Sequence, residues 1–294
     1  MSVTKVSDRL SDLGEGPHWD VNSQRLYHVD AFVGEVCRLD PVTGITESVD
    51  LDGIVTFVIP FRSDPSNLLI TLTQEVRKLN FGTGESEVLT QLSHDNPKYR
   101  FNDGKCDTKG RLWTGTLIPG EADQGHLYKM DKTYNLQQVE DKITLSNGLA
   151  WSLNNDTLYY IDSEARKINV FDFSLHDGTA TNRRILIDYN VDEDYKELGY
   201  PDGMTIDIEG KLWVANYAGG CVIRIDPETK TILRRFDIPA KNVTSCCFGG
   251  PHFDILYVTT AKSAEDEGNY PDAGAVFAIT AHGTRGQPPN HFST

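Results

Sequence analysis

Short apolar runs recur along this chain at a regular, long spacing. Each opens on a Leu followed by Tyr, Trp or Leu: Leu26-Tyr27, Leu68-Leu69, Leu112-Trp113, Leu158-Tyr159, Leu212-Trp213 and Leu256-Tyr257. Successive leucines stand 42, 44, 46, 54 and 44 residues apart. A period of roughly 40–50 residues in strand-like segments marks a β-propeller, one blade per repeat. A second landmark follows each anchor: Leu39-Asp40, Leu79-Asn80, Met130-Asp131, Phe171-Asp172, Ile225-Asp226 and Ile279-Thr280. The anchors read as second strands and these landmarks as third strands. Pro-x-x-Gly and Asp-x-x-Gly turns, such as 41–44 and 107–110, supply the reversals between them. No segment sustains the 3.6-residue period of a long helix.

The pattern predicts an all-β fold: a six-bladed β-propeller with four antiparallel strands per blade, residues 1–294 forming one domain. Inner strands should begin near Glu15, Thr56, Asn102, Asn147, Asp202 and Thr244. An N-terminal strand, residues 3–10, should join the last blade beside 275–280. That closes the ring and removes an exposed edge.

The two landmarks lie 13, 11, 18, 13, 13 and 23 residues apart in the successive blades. The excess places insertions at 118–125 and 262–273, and the wide interval between the fourth and fifth anchors adds a third at 191–200. All three belong on the face where the inner strands enter the channel, so a lid is the role expected of them.

Polar residues hold a constant phase against the leucines. Glu15, Arg100 with Asn102, Asn147, Asp202, and Thr244 with Ser245 precede their anchors by ten to twelve residues. Equal phase puts them at one depth on the propeller axis. Glu15, Asn147 and Asp202 are oxygen donors of the kind that hard cations such as calcium, magnesium or manganese take. Carboxylates gathered there without a cation would repel one another. Asn147-Gly148, Asp103-Gly104 and Asp202-Gly203 are also ordinary turn dipeptides, and a turn is the alternative for each alone. His18 reads as a packing residue. Neither an H-E-x-x-H zinc motif nor a G-x-S-x-G nucleophile elbow is present.

Charge and cysteines narrow the partners. The net charge is −15, and no Lys/Arg tract exceeds Arg183-Arg184. Nucleic acid and anionic membranes would repel such a surface, leaving a small-molecule substrate as the expected partner. The five cysteines, Cys37, Cys106, Cys221, Cys246 and Cys247, match no zinc spacing. With no apolar N-terminal segment and no membrane-spanning run, reduced thiols in a cytoplasmic protein are expected.

The segments GEGPHWD (14–20), RFNDGKCD (100–107), SNGLAWS (146–152), YPDGMTID (200–207), GKLWVANY (210–217) and TSCCFGG (244–250) resemble one family. It is the senescence-marker-protein/gluconolactonase/luciferin-regenerating-enzyme-like family, and the resemblance runs from about residue 12 to about residue 280. It implies one divalent metal held by Glu15, Asn147 and Asp202, with substrate bound by Arg100 and Asn102. Calcium is the first choice, with magnesium, manganese or zinc as alternatives. Two departures stand out. Gly115-Thr116-Leu117 leads into Ile118-Pro119-Gly120 where the family resembled has a pair of glutamates, leaving Glu121, displaced by one position, as a candidate lid residue. The segment 281–286 also differs from the usual ending.

The function expected is metal-dependent hydrolysis of sugar lactones. The cation would polarise the lactone carbonyl, with Asp202 as the catalytic base activating water. Luciferin regeneration in the same scaffold and a non-catalytic calcium-binding regulatory role are the alternatives.

Overall fold

The structure, a computed structural model, describes residues 2–263 and 268–293. Their strands form six four-stranded antiparallel sheets, the blades of a propeller, with no helix among the described residues. Blades 1 to 5 open with the inner strands Gly14–Asp20, Val58–Pro60, Arg100–Cys106, Ser146–Trp151 and Tyr200–Ile206. Each continues outward in chain order. Blade 6 runs outward through Asn242–Gly249, Ile255–Ala261 and Phe277–Thr280, and its outermost strand, Ser2–Lys5, comes from the other end of the chain.

The leucine period has a direct structural cause. Leu26, Leu68, Leu112, Leu158, Leu212 and Leu256 all sit on second strands and are all fully buried. Directly opposite them in register stand Leu39, Leu79, Met130, Phe171, Ile225 and Ile279. Each blade therefore buries one cross-strand apolar pair at the same place, the unit by which antiparallel sheets gain stability. Because the two residues are partners, the sequence distance between them measures the hairpin joining their strands. Burial falls off outward: Asn242–Gly249 is buried along its whole length, while the outer strand Thr46–Asp50 is partly exposed throughout.

Two repeats, Asp107-Thr-Lys-Gly-Arg-Leu-Trp and Asp207-Ile-Glu-Gly-Lys-Leu-Trp, add a polar clamp. The buried Asp107 carboxylate accepts hydrogen bonds from Trp113 Nε1 (3.0 Å), Arg111 Nε (2.7 Å) and the amide of Lys109 (2.9 Å). Asp207 accepts from Trp213 Nε1 (2.9 Å), Arg224 Nε (2.7 Å) and the amide of Glu209 (2.9 Å). A buried carboxylate is tolerable when it is this fully paired.

Two expectations need correction. The closing strand ends at Lys5 rather than residue 10, although Val6 still donates to Val276 O at 2.9 Å. At the next position the Ser7 hydroxyl, not a backbone carbonyl, accepts from the Val276 amide (2.9 Å), so the ladder stops there. Nor is the 191–200 insertion a free lid. Tyr195 and Leu198 are buried in the core of blades 4 and 5, and the Tyr195 hydroxyl donates to Lys230 O at 2.8 Å. Of the 262–273 insertion, residues 264–267 lie outside the described residues, while Tyr270 and Ala273 pack against the blade 6 core.

One element had no sequence signal. After Ala281 the chain crosses the far end of the inner strands. Its backbone pairs Arg285 with Ile208, Gly286 with Phe253, Phe292 with Pro60 and Arg62, and Ser293 with Gly110. The five cysteines are all buried and all free, the adjacent Cys246 and Cys247 included.

Candidate metal centre and substrate pocket

Glycines place the candidate site. Pairing between inner and second strand slips between Glu15 and His18, Phe101 and Gly104, Ser146 and Leu149, and Pro201 and Met204. The skipped residues are Gly16-Pro17, Asn102-Asp103, Asn147-Gly148 and Asp202-Gly203. These are β-bulges inside strands, not reversals. A bulge swings its side chain out of the ladder and re-aims it. The glycines follow because neighbouring inner strands crowd together at the axis. A Cβ on Gly203 would fall 2.0 Å from Ser245 Oγ. Its counterpart on Gly148 would fall 2.6 Å from the Asp202 carbonyl oxygen.

Side chains at and beside these bulges meet in one cavity of about 450 Å³. Its axial end holds Glu15 from blade 1, Arg100 and Asn102 from blade 3, Asn147 from blade 4 and Asp202 from blade 5. Asn147 Oδ1 and Asp202 Oδ1 are buried and have no hydrogen-bond partner. Glu15 Oε2 accepts only a local bond from the Gly16 amide, 3.1 Å. Burial pushes the carboxyls of Glu15 and Asp202 well above the usual carboxylate range; the neighbouring Asp202 and Asp103 raise Glu15 further, and Asp103 raises Asp202. A positive charge at the centre of the set would relieve both effects.

Oxygen donors with unused lone pairs and mutual repulsion fit a hard divalent cation. Among the described residues no three His, Cys, Asp or Glu side chains could hold an ion by themselves. A centre here therefore depends on the amide oxygen of Asn147.

Arg100 and Asn102 form a linked pair. Arg100 donates to Asn102 Oδ1 (3.0 Å) and Phe101 O (2.9 Å), while Asn102 Nδ2 donates to Ser146 O (2.8 Å). Burial lowers the Arg100 guanidinium to about 10, against the opposing effect of Glu15. Glu121 is not brought to the site: it is exposed in the turn between Leu112–Leu117 and Gly125–Met130, and takes no part in the cavity wall. His18 is buried at the far end of its strand, its ring centroid 5.4 Å from that of His291.

Sequence reasoning missed two groups. Asp103, buried one residue beyond Asn102, is a third carboxyl raised by burial; its phase with Asn102 was the available signal. Phe32, Tyr200 and Tyr217 also line the cavity, and nothing in the repeat marks them.

Comparison with known proteins agrees with this architecture. A family model described as "SMP-30/Gluconolactonase/LRE-like region" matches residues 13–262. A regucalcin of Xenopus laevis is 37% identical over 305 residues, covering 100% of both chains. The solved structure of a luciferin-regenerating enzyme superposes with a TM-score of 0.92 at 32% identity, over 100% of this chain and 99% of that one. A calcium-binding regucalcin from Agrobacterium tumefaciens shares the fold with a TM-score of 0.91 at 23% identity, over 99% and 97% of the two chains.

Proposed function

The chain belongs to the SMP-30/Gluconolactonase/LRE-like family, and from that membership we propose that it is a divalent-metal-dependent hydrolase of lactones, sugar lactones among them. The observation that carries this reading is the pair of buried, unpartnered oxygens on Asn147 and Asp202, beside Glu15, at the base of an open cavity. Glu15, Asn147 and Asp202 would hold the cation, with calcium the first choice. When bound, it would supply Lewis-acid polarisation of the lactone carbonyl and acidify a water.

The chain's own groups account for the rest. Asp202 has a second carboxylate oxygen besides the unpartnered one offered to the cation, so it can accept the proton of the attacking water. Arg100, held in place by Phe101 O and Asn102 Oδ1, presents its remaining N–H groups to the ester. Asn102, fixed through Ser146 O, keeps the Arg100 head in position.

The test is hydrolysis of a lactone panel with calcium, manganese, magnesium and zinc, before and after chelation. Turnover that depends on metal and is lost in Asp202→Asn supports the reading; metal binding without turnover of any lactone refutes it. That second result favours a calcium-binding role, the property stated for the Agrobacterium protein.

A further inference from the structure

The cavity has two chemically different ends. Its axial end is polar, as described. Its exposed rim carries Phe32 and Tyr200. Phe32 is 60% exposed and Tyr200 43% exposed, a high exposure for aromatic rings on a soluble surface. Phe32 projects from the tight turn after Arg25–Asp30, where the Gly34 amide donates to Asp30 O (3.0 Å) and the Ala31 amide to Leu13 O (2.8 Å). The Arg166 guanidinium lies 5.6 Å from the Tyr200 ring centroid and is itself tied to Gly199 O (3.1 Å) and Lys196 O (2.7 Å). Both rings are thus presented on braced backbone.

Two of the neutral side chains that could receive a polyol in this cavity are already engaged. Asn102 already accepts from Arg100 at its carbonyl oxygen and donates to Ser146 O from its amide nitrogen, which leaves one lone pair and one N–H. The Ser163 hydroxyl donates to Pro201 O at 2.6 Å. Thr56 Oγ1, behind the wall, donates to Asn102 O at 2.7 Å. A sugar lactone entering would have to compete with these internal bonds for the two groups, which costs binding energy. A ring with an apolar face would instead cover Phe32 and Tyr200, leaving its ester to the axial groups. Glu164 on the same wall disfavours anionic substrates.

We propose that the pocket selects neutral lactones fused to or bearing an apolar ring, aryl lactones above all, over polyhydroxylated ones. This rests on the hydrolase reading given above and names the substrate class within it. It makes Phe32 and Tyr200 specificity-determining residues.

The experiment compares dihydrocoumarin with glucono-δ-lactone on the calcium-loaded full chain. It adds equilibrium binding of the corresponding unreactive lactams, which reports recognition independently of turnover. The expected kcat/KM for dihydrocoumarin is at least tenfold higher, the aryl lactam binds more tightly than the sugar lactam, and Phe32→Ser narrows both ratios at least fivefold. Phe32 is largely exposed, so this variant keeps the core intact. Equal or higher kcat/KM for glucono-δ-lactone, with Phe32→Ser leaving the ratio unchanged, overturns the inference. Preferential aryl-lactam binding without hydrolysis of either lactone sustains the recognition and overturns the hydrolase reading instead.

Discussion

Gly148 packs edge-on against Asp202: a Cβ added to the glycine would stand 2.6 Å from the Asp202 carbonyl oxygen and 2.7 Å from the Met204 amide nitrogen. One proposed metal-binding strand is therefore seated directly on another. Gly148→Ala should push the two apart, costing about 1–3 kcal/mol of stability and weakening calcium binding more than tenfold. Denaturant unfolding and calorimetric calcium titration check this; wild-type values in both would mean that the strands can separate at no cost.

Metal removal should be felt by the whole fold. A ligand that binds only the folded state stabilises it by about 2.7 kcal/mol at a hundredfold excess over Kd. Chelation should therefore lower Tm by several degrees, and calcium should restore it. Asn147→Ala should abolish the calcium-dependent part of Tm, because the remaining carboxyls lack the amide oxygen between them. A Tm indifferent to chelator and calcium would rule out the centre.

Asp202→Asn separates two roles of one side chain. An amide keeps an oxygen for the cation but accepts no proton at neutral pH. The expected result is retained calcium stabilisation with turnover reduced by roughly 10²–10⁴. Wild-type turnover in this variant would transfer the base to another group, and Asp103 is the next buried carboxyl on the axis.

A pH effect on stability should come from His28, buried on the second strand of blade 1. Burial lowers its pKa from 6.5 to about 4, the nearby Arg9 acting in the same direction and a Val29 backbone contact against it. Between these values the unfolded chain binds a proton that the folded chain refuses. Stability is thus intact above about pH 6.5 and falls as pH drops towards 4, by on the order of 3 kcal/mol in all. His28→Phe should flatten that portion of the curve relative to wild type. Unfolding free energies from pH 4 to 7 test it, and identical slopes in both proteins would exclude His28 as the source.

The sequence and the structure agree where the physics repeats. Leu212 and Ile225 are legible as landmarks because every blade buries the same cross-strand pair, so the pattern is written six times. Glu15, Asn147 and Asp202 are legible as a set because their phase follows from that pairing. What stayed hidden has no spacing of its own. Asp202-Gly203 has the composition of a turn, and only the crowding against Ser245 makes it a bulge. Phe32 and Tyr200 gain significance from the cavity between them, which no spacing encodes. The crossing of residues 285–293 depends on isolated backbone bonds to four blades, and these leave no periodic trace.

The pairing of Ser2–Lys5 with Phe277–Thr280 also constrains the order of events during synthesis. The first of these segments leaves the ribosome well before its partner exists, at elongation rates of about 5–20 residues per second. Until then the hydrogen-bonding edge meant for blade 6 has nothing to hold, and the earlier blades form an open arc. Pairing these segments cannot precede synthesis of Phe277–Thr280, and the loop it closes runs from residue 5 to residue 277. Chaperone dependence should therefore concentrate in that interval, and a chain whose N-terminal segment is moved to follow Thr280 should escape it.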